Sequence, residues 1–195
     1  MSKTVENISS LRIAVGITGS SGTIYAQDFL QRCPGDKFVV MSKWGKAVAK
    51  DELGMRDPEK QLKPYYKRAF ADTDLTAPLA SGTNHIDAYV IIPASTSTIG
   101  KIASGIGDTL ITRTAAVCLK ERVKMIICVR ETPLSTITLE QLTTLSREGV
   151  IIMPISPPLY YVPDTVQEYV SGFVDKVLQH CGVHIGKGWR SEDLE

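Results

Sequence analysis

Five continuous Val- and Ile-rich runs of strand length recur along this chain of 195 residues, at 11–17 (LRIAVGI), 37–41 (KFVVM), 87–93 (DAYVIIP), 123–129 (VKMIICV) and 149–155 (GVIIMPI). Their apolar residues are consecutive rather than alternating, which is the pattern of strands covered on both faces. Helical stretches separate them, over about 22–33, 44–54, 96–106, 110–121, 138–148 and 164–181. Strand alternating with helix predicts an α/β three-layer fold with a mainly parallel sheet and right-handed crossovers. In such a sheet the ligand crevice opens beyond the carboxyl ends of the strands. The segments that follow the strands therefore carry the functional information: TGSSGT, SKWGK, PASTSTIGK, RETPLS and PPLYY.

The length favours one domain, with 1–10 as an N-terminal tail, 11–182 as the folded unit and 183–195 as a C-terminal arm. The region 55–85 is polar, with prolines at 58, 64 and 78, and reads as a surface excursion with a short helix. The formal net charge is +1, so nothing in the overall charge points to nucleic acid or an anionic membrane, and any anion site must be local. The four cysteines, at 33, 118, 128 and 181, form no C-x-x-C pair and no zinc spacing. Buried thiols in a reducing compartment are expected. With no apolar run of membrane-spanning length and no hydrophobic leader, a cytoplasmic protein is expected.

The first turn, GITGSSGT, is neither the G-x-G-x-x-G fingerprint nor a P-loop. Its glycines at 16, 19 and 22 still permit close backbone approach to a ligand. A helix start with Ser20 and Ser21 suits phosphate, and equally suits a capped turn that binds nothing. Ser95, Thr96, Ser97 and Thr98 are consecutive hydroxyls at the second turn, where one suffices as a cap; a ribityl chain or flavin edge would use the rest, and a solvated loop would need none. Arg130 and Glu131 end the fourth run as an ion pair, a solvated strand end, or a working pair of phosphate-binding guanidinium and proton-moving carboxylate. Arg113 and Lys120 lie two turns apart on one helix face, which by itself reads as solvated. Tyr160 and Tyr161 sit in a proline-stiffened loop. His180 and His184 have i, i+4 spacing, but Gly182 weakens the helix there and no metal is expected. His85 falls in a loop.

Taken in order, GITGSSGTIYA, MSKWGKAVAKDE, PASTSTIGKIASGIGDTLITRTAAVCLKER, VRETPLS and GVIIMPISPPLYYVP closely resemble the UbiX-type flavin prenyltransferases, from about residue 12 to about 182. The resemblance implies a flavodoxin-like fold, a homododecamer, and reduced FMN bound at subunit interfaces. The implied reaction joins a dimethylallyl group from dimethylallyl phosphate to FMN without a metal, and the prenylated FMN serves a UbiD-type decarboxylase. It also implies roles by position. Gly19, Ser20, Ser21, Ser42, Ser95 to Thr98 and Arg130 would contact FMN. Ser21, Glu52, Arg113 and Lys120 would form the catalytic phosphate region, with Glu52 coming from a neighbouring subunit. Glu131 would be the acid/base, and Tyr160 and Lys176 would hold the prenyl phosphate. Trp44 would offer the developing allylic cation an aromatic face.

Two departures stand out. Tyr161 and Val162 replace a His-Arg pair of the family loop, and Lys176 stands where the family has a phosphate-gripping arginine, so charge is kept and the bidentate fork is lost. The PASTST turn also leans towards the sister FMN-dependent cysteine decarboxylases, whose catalytic histidine has no clear counterpart here. That activity, or a non-catalytic FMN-binding oligomer, is the alternative reading.

Overall fold

The computed structural model describes residues 11–160 and 162–184; the expected N-terminal tail, Tyr161 and most of the C-terminal arm, with Trp189, lie outside the described residues. Six strands form one sheet in the order β3-β2-β1-β4-β5-β6, and every pairing is parallel. They are β1 (Arg12–Ile17), β2 (Asp36–Met41), β3 (Arg68–Ala71), β4 (Ala88–Ala94), β5 (Lys124–Val129) and β6 (Ile151–Pro154). The helices are α1 (Thr23–Arg32), α2 (Lys43–Leu53), α3 (Pro58–Leu62), α4 (Thr96–Ala103), α5 (Leu110–Glu121), α6 (Thr136–Arg147) and α7 (Val166–His180).

The layers follow from the two-residue period of the strands. Along β4, Ala88, Val90 and Ile92 face one core, which α1, α2 and α7 close with Phe29, Ala49 and Phe173. Tyr89 and Ile91 face the other, which α4, α5 and α6 close with Ile99, Ile111 and Leu145. All seven β4 residues are buried, so its run has no polar position to spare. The flavodoxin-like three-layer expectation holds.

One element differs from expectation. The excursion 55–85 contains an edge strand, β3, with Phe38 to Met41 of β2 in register against Arg68 to Ala71. Its four residues include only one that is buried, so the sequence shows no apolar run there. The four cysteines are free and buried, as expected. Burial pushes the thiols of Cys33 and Cys118 up to about 12.

Candidate functional site

The strand order turns back between β1 and β4, which makes that gap the place where a crevice opens above the sheet. The two strand ends are tied together there. Thr18 donates its hydroxyl to the Pro93 carbonyl (2.9 Å), and the same oxygen accepts from the Ser95 N–H (2.7 Å). One strand further along, Ser20 donates its hydroxyl to the Arg130 carbonyl (2.7 Å), fastening the first turn to the end of β5. The turns after β1, β4 and β5 therefore share one rim, as the sequence predicts.

A pocket of about 280 Å³ opens on this rim, close to the lower size of small-molecule sites. Gly19, Ser42, Trp44, Ser95, Ser97 and Thr98 line it, with Asp72, Lys43, Lys101 and the first turn of α5 completing the wall. Ser42 and Ser95 cap α2 and α4, accepting from the N–H of Gly45 and Thr98. Gly19 is required by packing: a Cβ there would lie 2.4 Å from the Trp44 Cβ. Trp44 is 67% exposed at the mouth, with the Lys43 ammonium 5.4 Å from its ring centroid. Of the first turn only Gly19 lines the pocket, while Ser20 bonds Arg130 and Ser21 bonds Glu52; Ser95, Ser97 and Thr98 of the second turn line it with Ser42 and Trp44 of the α2 start, Thr96 standing beside them as the first residue of α4. Lys101, Asp72, Thr109 and Thr112 also line the pocket and were not singled out from the sequence. Asp72 is brought in by the β3 edge, which has no sequence signal, and it meets the α5 start there.

The start of α1 is organised differently from expectation. Gly22 has φ 108°, a left-handed geometry suited to glycine. Its N–H meets both Glu52 carboxylate oxygens at 3.0 Å, and the Thr23 N–H donates to one of them at 2.9 Å. Desolvation raises the Glu52 pKa, but hydrogen bonds from the Ser21 hydroxyl and these two N–H groups outweigh it, so the carboxyl is held below its usual range. Glu52 bonds the start of α1 in its own chain. The helix-start donors read as suited to phosphate already carry a carboxylate.

Glu131 and Arg130 stand exposed on the rim, where a Glu131 oxygen accepts from the Thr132 N–H (3.0 Å) and the Arg130 side chain lies over Gly22. Arg113 is in the first turns of α5, packed by Gly107. Tyr160 is exposed in the loop after β6, and Val162 beyond it has φ 49°, a conformation β-branched residues rarely adopt.

Lys120 and Lys176 do not join this group. Lys120 lies in the last turn of α5, paired with Glu121 beside Gly82, close to a second hollow of about 210 Å³ lined by Ser81 to Ile86. This is the end at which β4 and β5 begin. Lys176 follows Asp175, which pairs with Arg32 in the last turn of α1, and it neighbours His180 and Lys124, the first residue of β5. The ten residues of α1 put about 15 Å of helix between that level and Ser21. His85 lies at the same far end, 3.6 Å from Asp87. Among the described residues no group of three or more His, Cys, Asp or Glu side chains is arranged to hold a metal, and none of the helices is long and apolar enough to cross a membrane.

The donor set suits a flavin mononucleotide. Clustered hydroxyls match a ribityl chain, a lysine at a helix start matches phosphate, and glycine with an exposed indole leaves a flat opening at the mouth. Known proteins of the same kind share the fold. The flavin prenyltransferase UbiX of Thermoplasma acidophilum is 44% identical over 174 residues, covering 89% of this chain and 96% of that protein. The crystal structure of AnUbiX (PadA1) in complex with FMN and dimethylallyl pyrophosphate superposes with a TM-score of 0.85 at 30% identity, covering 93% of this chain and all of that one. A dodecameric FMN-dependent UbiX-like decarboxylase from Escherichia coli O157:H7 gives 0.87 at 32% identity, covering 92% and 100%. The profile of the family described as Flavoprotein matches residues 1–180, and on that match and these relatives the chain belongs to the flavoprotein family, within its UbiX-like flavin prenyltransferase group.

Proposed function

We propose that this protein is a flavin prenyltransferase that joins a dimethylallyl group from dimethylallyl phosphate to reduced FMN. The observation that carries the reading is the hydroxyl-lined pocket at the turning point of the strand order, walled by Gly19, Ser42, Ser95, Ser97 and Thr98. Reduced FMN supplies the electron-rich ring that accepts the prenyl group. The chain's own residues do the rest. Ser42, Lys43 and the Ser95–Thr98 turn hold the ribityl phosphate, since Glu52 already fills the start of α1. Ser20 holds the Arg130 main chain, so that Arg130 and Glu131 stand on the same rim as the pocket. Glu131 can give a proton to the phosphate as it departs, and its carboxylate then takes the proton that must leave when the new ring closes. Trp44 faces the allylic cation.

Lys120 and Lys176 act on the prenyl phosphate from a second copy. Within one chain they lie at the far end of the sheet, so a neighbouring molecule must bring that end against the rim, where Ser21, Arg113 and Tyr160 wait. Charge on the leaving phosphate is then stabilised from both copies. Such a site requires a homo-oligomer, which the dodecameric relative supports. The prenylated flavin would pass to a UbiD-type decarboxylase.

The cysteine decarboxylase reading is not favoured, since the Thermoplasma acidophilum relative at 44% identity is a flavin prenyltransferase. The test is to mix purified protein anaerobically with reduced FMN and dimethylallyl phosphate and to take a mass spectrum of the released flavin. A gain of one prenyl unit is expected. Bound but unmodified FMN, with the diphosphate donor also inert, would leave a flavin-binding oligomer without transferase activity.

A further inference from the structure

Asp72 follows β3 and serves two neighbours at once. Its main-chain carbonyl accepts from the Leu110 N–H (2.7 Å), and its carboxylate Oδ1 accepts from the Ile111 N–H (3.0 Å). Both donors belong to the first turn of α5, where a negative charge is favoured by the helix dipole. The Tyr89 hydroxyl donates to the Ile111 carbonyl (3.1 Å) from the sheet side. That clamped turn is one wall of the pocket, and Asp72 itself is half-buried in the lining.

A carboxylate has about four acceptor positions, and one N–H uses only one of them. Among the described residues, Asp72 is the sole carboxylate in the pocket lining, beside hydroxyls from Ser42, Ser95, Ser97, Thr98, Thr109 and Thr112. Of the two lining lysines, Lys101 is engaged by Asp108 at 2.7 Å, which leaves Lys43 as the cation for an anionic ligand group. A phosphate dianion brings acceptors and negative charge, and Asp72 repels both. A polyol brings O–H donors, which Asp72 can accept.

We infer that Asp72 is a specificity-determining residue of the flavin pocket, accepting hydrogen bonds from the ribityl hydroxyls and directing the phosphate to Lys43. The inference rests on the flavin reading above and names a contact within it. Oxidised FMN, riboflavin and lumichrome would be titrated by calorimetry against the wild-type protein, Asp72→Asn and Asp72→Ser, with melting temperatures recorded in parallel. Both substitutions keep an oxygen for the Ile111 N–H, so the melting temperature should hold. FMN and riboflavin, which share the ribityl chain, should both weaken, riboflavin by roughly tenfold or more for a lost charge-assisted hydrogen bond and FMN by less, because the repulsion of its phosphate is lost as well. Lumichrome, which lacks the chain, should lose nothing.

Unchanged FMN and riboflavin affinity would overturn the inference. So would a gain for FMN alone, which would set the phosphate beside Asp72, or an equal loss for lumichrome, which would set the ring there. A loss seen only in a variant whose melting temperature falls would reduce Asp72 to a cap on α5. A wild-type protein that binds neither FMN nor riboflavin would instead overturn the flavin reading itself.

Discussion

At position 19 the missing side chain matters because of Trp44, whose Cβ would stand 2.4 Å from any Cβ placed there. Gly19→Ala must push the indole and the α2 start outward, since Trp44 backbone atoms also lie within 3.4 Å. A loss of about 1–3 kcal/mol in unfolding free energy is expected from such overpacking. A fall in FMN affinity should accompany it, because the displaced residues line the pocket; chemical denaturation and a flavin titration check the two effects. Glu131 is the opposite kind of residue, exposed on the rim and bonded only to its neighbour's N–H among the hydrogen bonds described. Glu131→Gln should therefore leave the melting temperature and FMN binding unchanged while prenyl transfer falls by a factor of 100 or more, roughly the contribution of a general acid or base. Normal turnover in that variant, measured by mass spectrometry of the flavin, would remove it from the mechanism.

The elements are stabilised at their ends, and two ends make measurable predictions. Glu52 on the α1 start has a carboxyl held below its usual value, chiefly by hydrogen bonds that outweigh desolvation. A carboxyl with a depressed folded-state pKa stabilises the fold above its unfolded value of about 4.3 and loses that contribution as pH falls through the lower folded value. The side chain is exposed, so solvent screening holds the effect to roughly 0.5–1 kcal/mol. Glu52→Gln should therefore be less stable than the wild type at pH 7, and the two denaturation curves should converge on acidification below pH 4 or so. At the other kind of end, Arg122 closes α5 with φ 57°, a left-handed position that glycine occupies without strain. Arg122→Gly should raise the melting temperature, by about 0.5–1 kcal/mol in free energy, even though it removes the surface pair with Glu148 at 3.7 Å. These ends also mark where sequence reading stops. The five apolar runs were legible because strands covered on both faces leave no room for polar residues, and the hydroxyl turns were legible because they follow those runs directly. β3 was not, since an edge strand of four residues with one buried side chain carries no run. Glu52 was matched as an active-site residue, but its bond to Gly22 spans 30 positions and nothing local announces it.

Across the whole molecule the main consequence is that the sheet separates the residues proposed above for one active site. Ser21, Arg113, Arg130 and Glu131 lie at the end of the sheet where the strands finish; Lys120 and Lys176 lie where they begin. A parallel sheet with its helices running back alongside does this to any residues placed at opposite ends of a helix, and Arg113 and Lys120 are near the two ends of α5. If both sets serve one prenyl phosphate, copies must meet rim to far end, a heterologous contact that closes into a ring. Complementation tests this directly. Glu131→Gln and Lys120→Ala each disable every site in their own homo-oligomer, the first from the rim and the second from the neighbour. Co-expressed in equal amounts, they assemble contacts in which one copy supplies an intact Glu131 and the next an intact Lys120. Random mixing makes about one contact in four competent. Recovery of about a quarter of the wild-type prenyl transfer is the expected result, measured per site after tagging both variants and isolating the mixed species. No recovery in verified mixed oligomers would mean that Lys120 serves its own chain's rim, which would require α5 to leave the position it holds against the sheet.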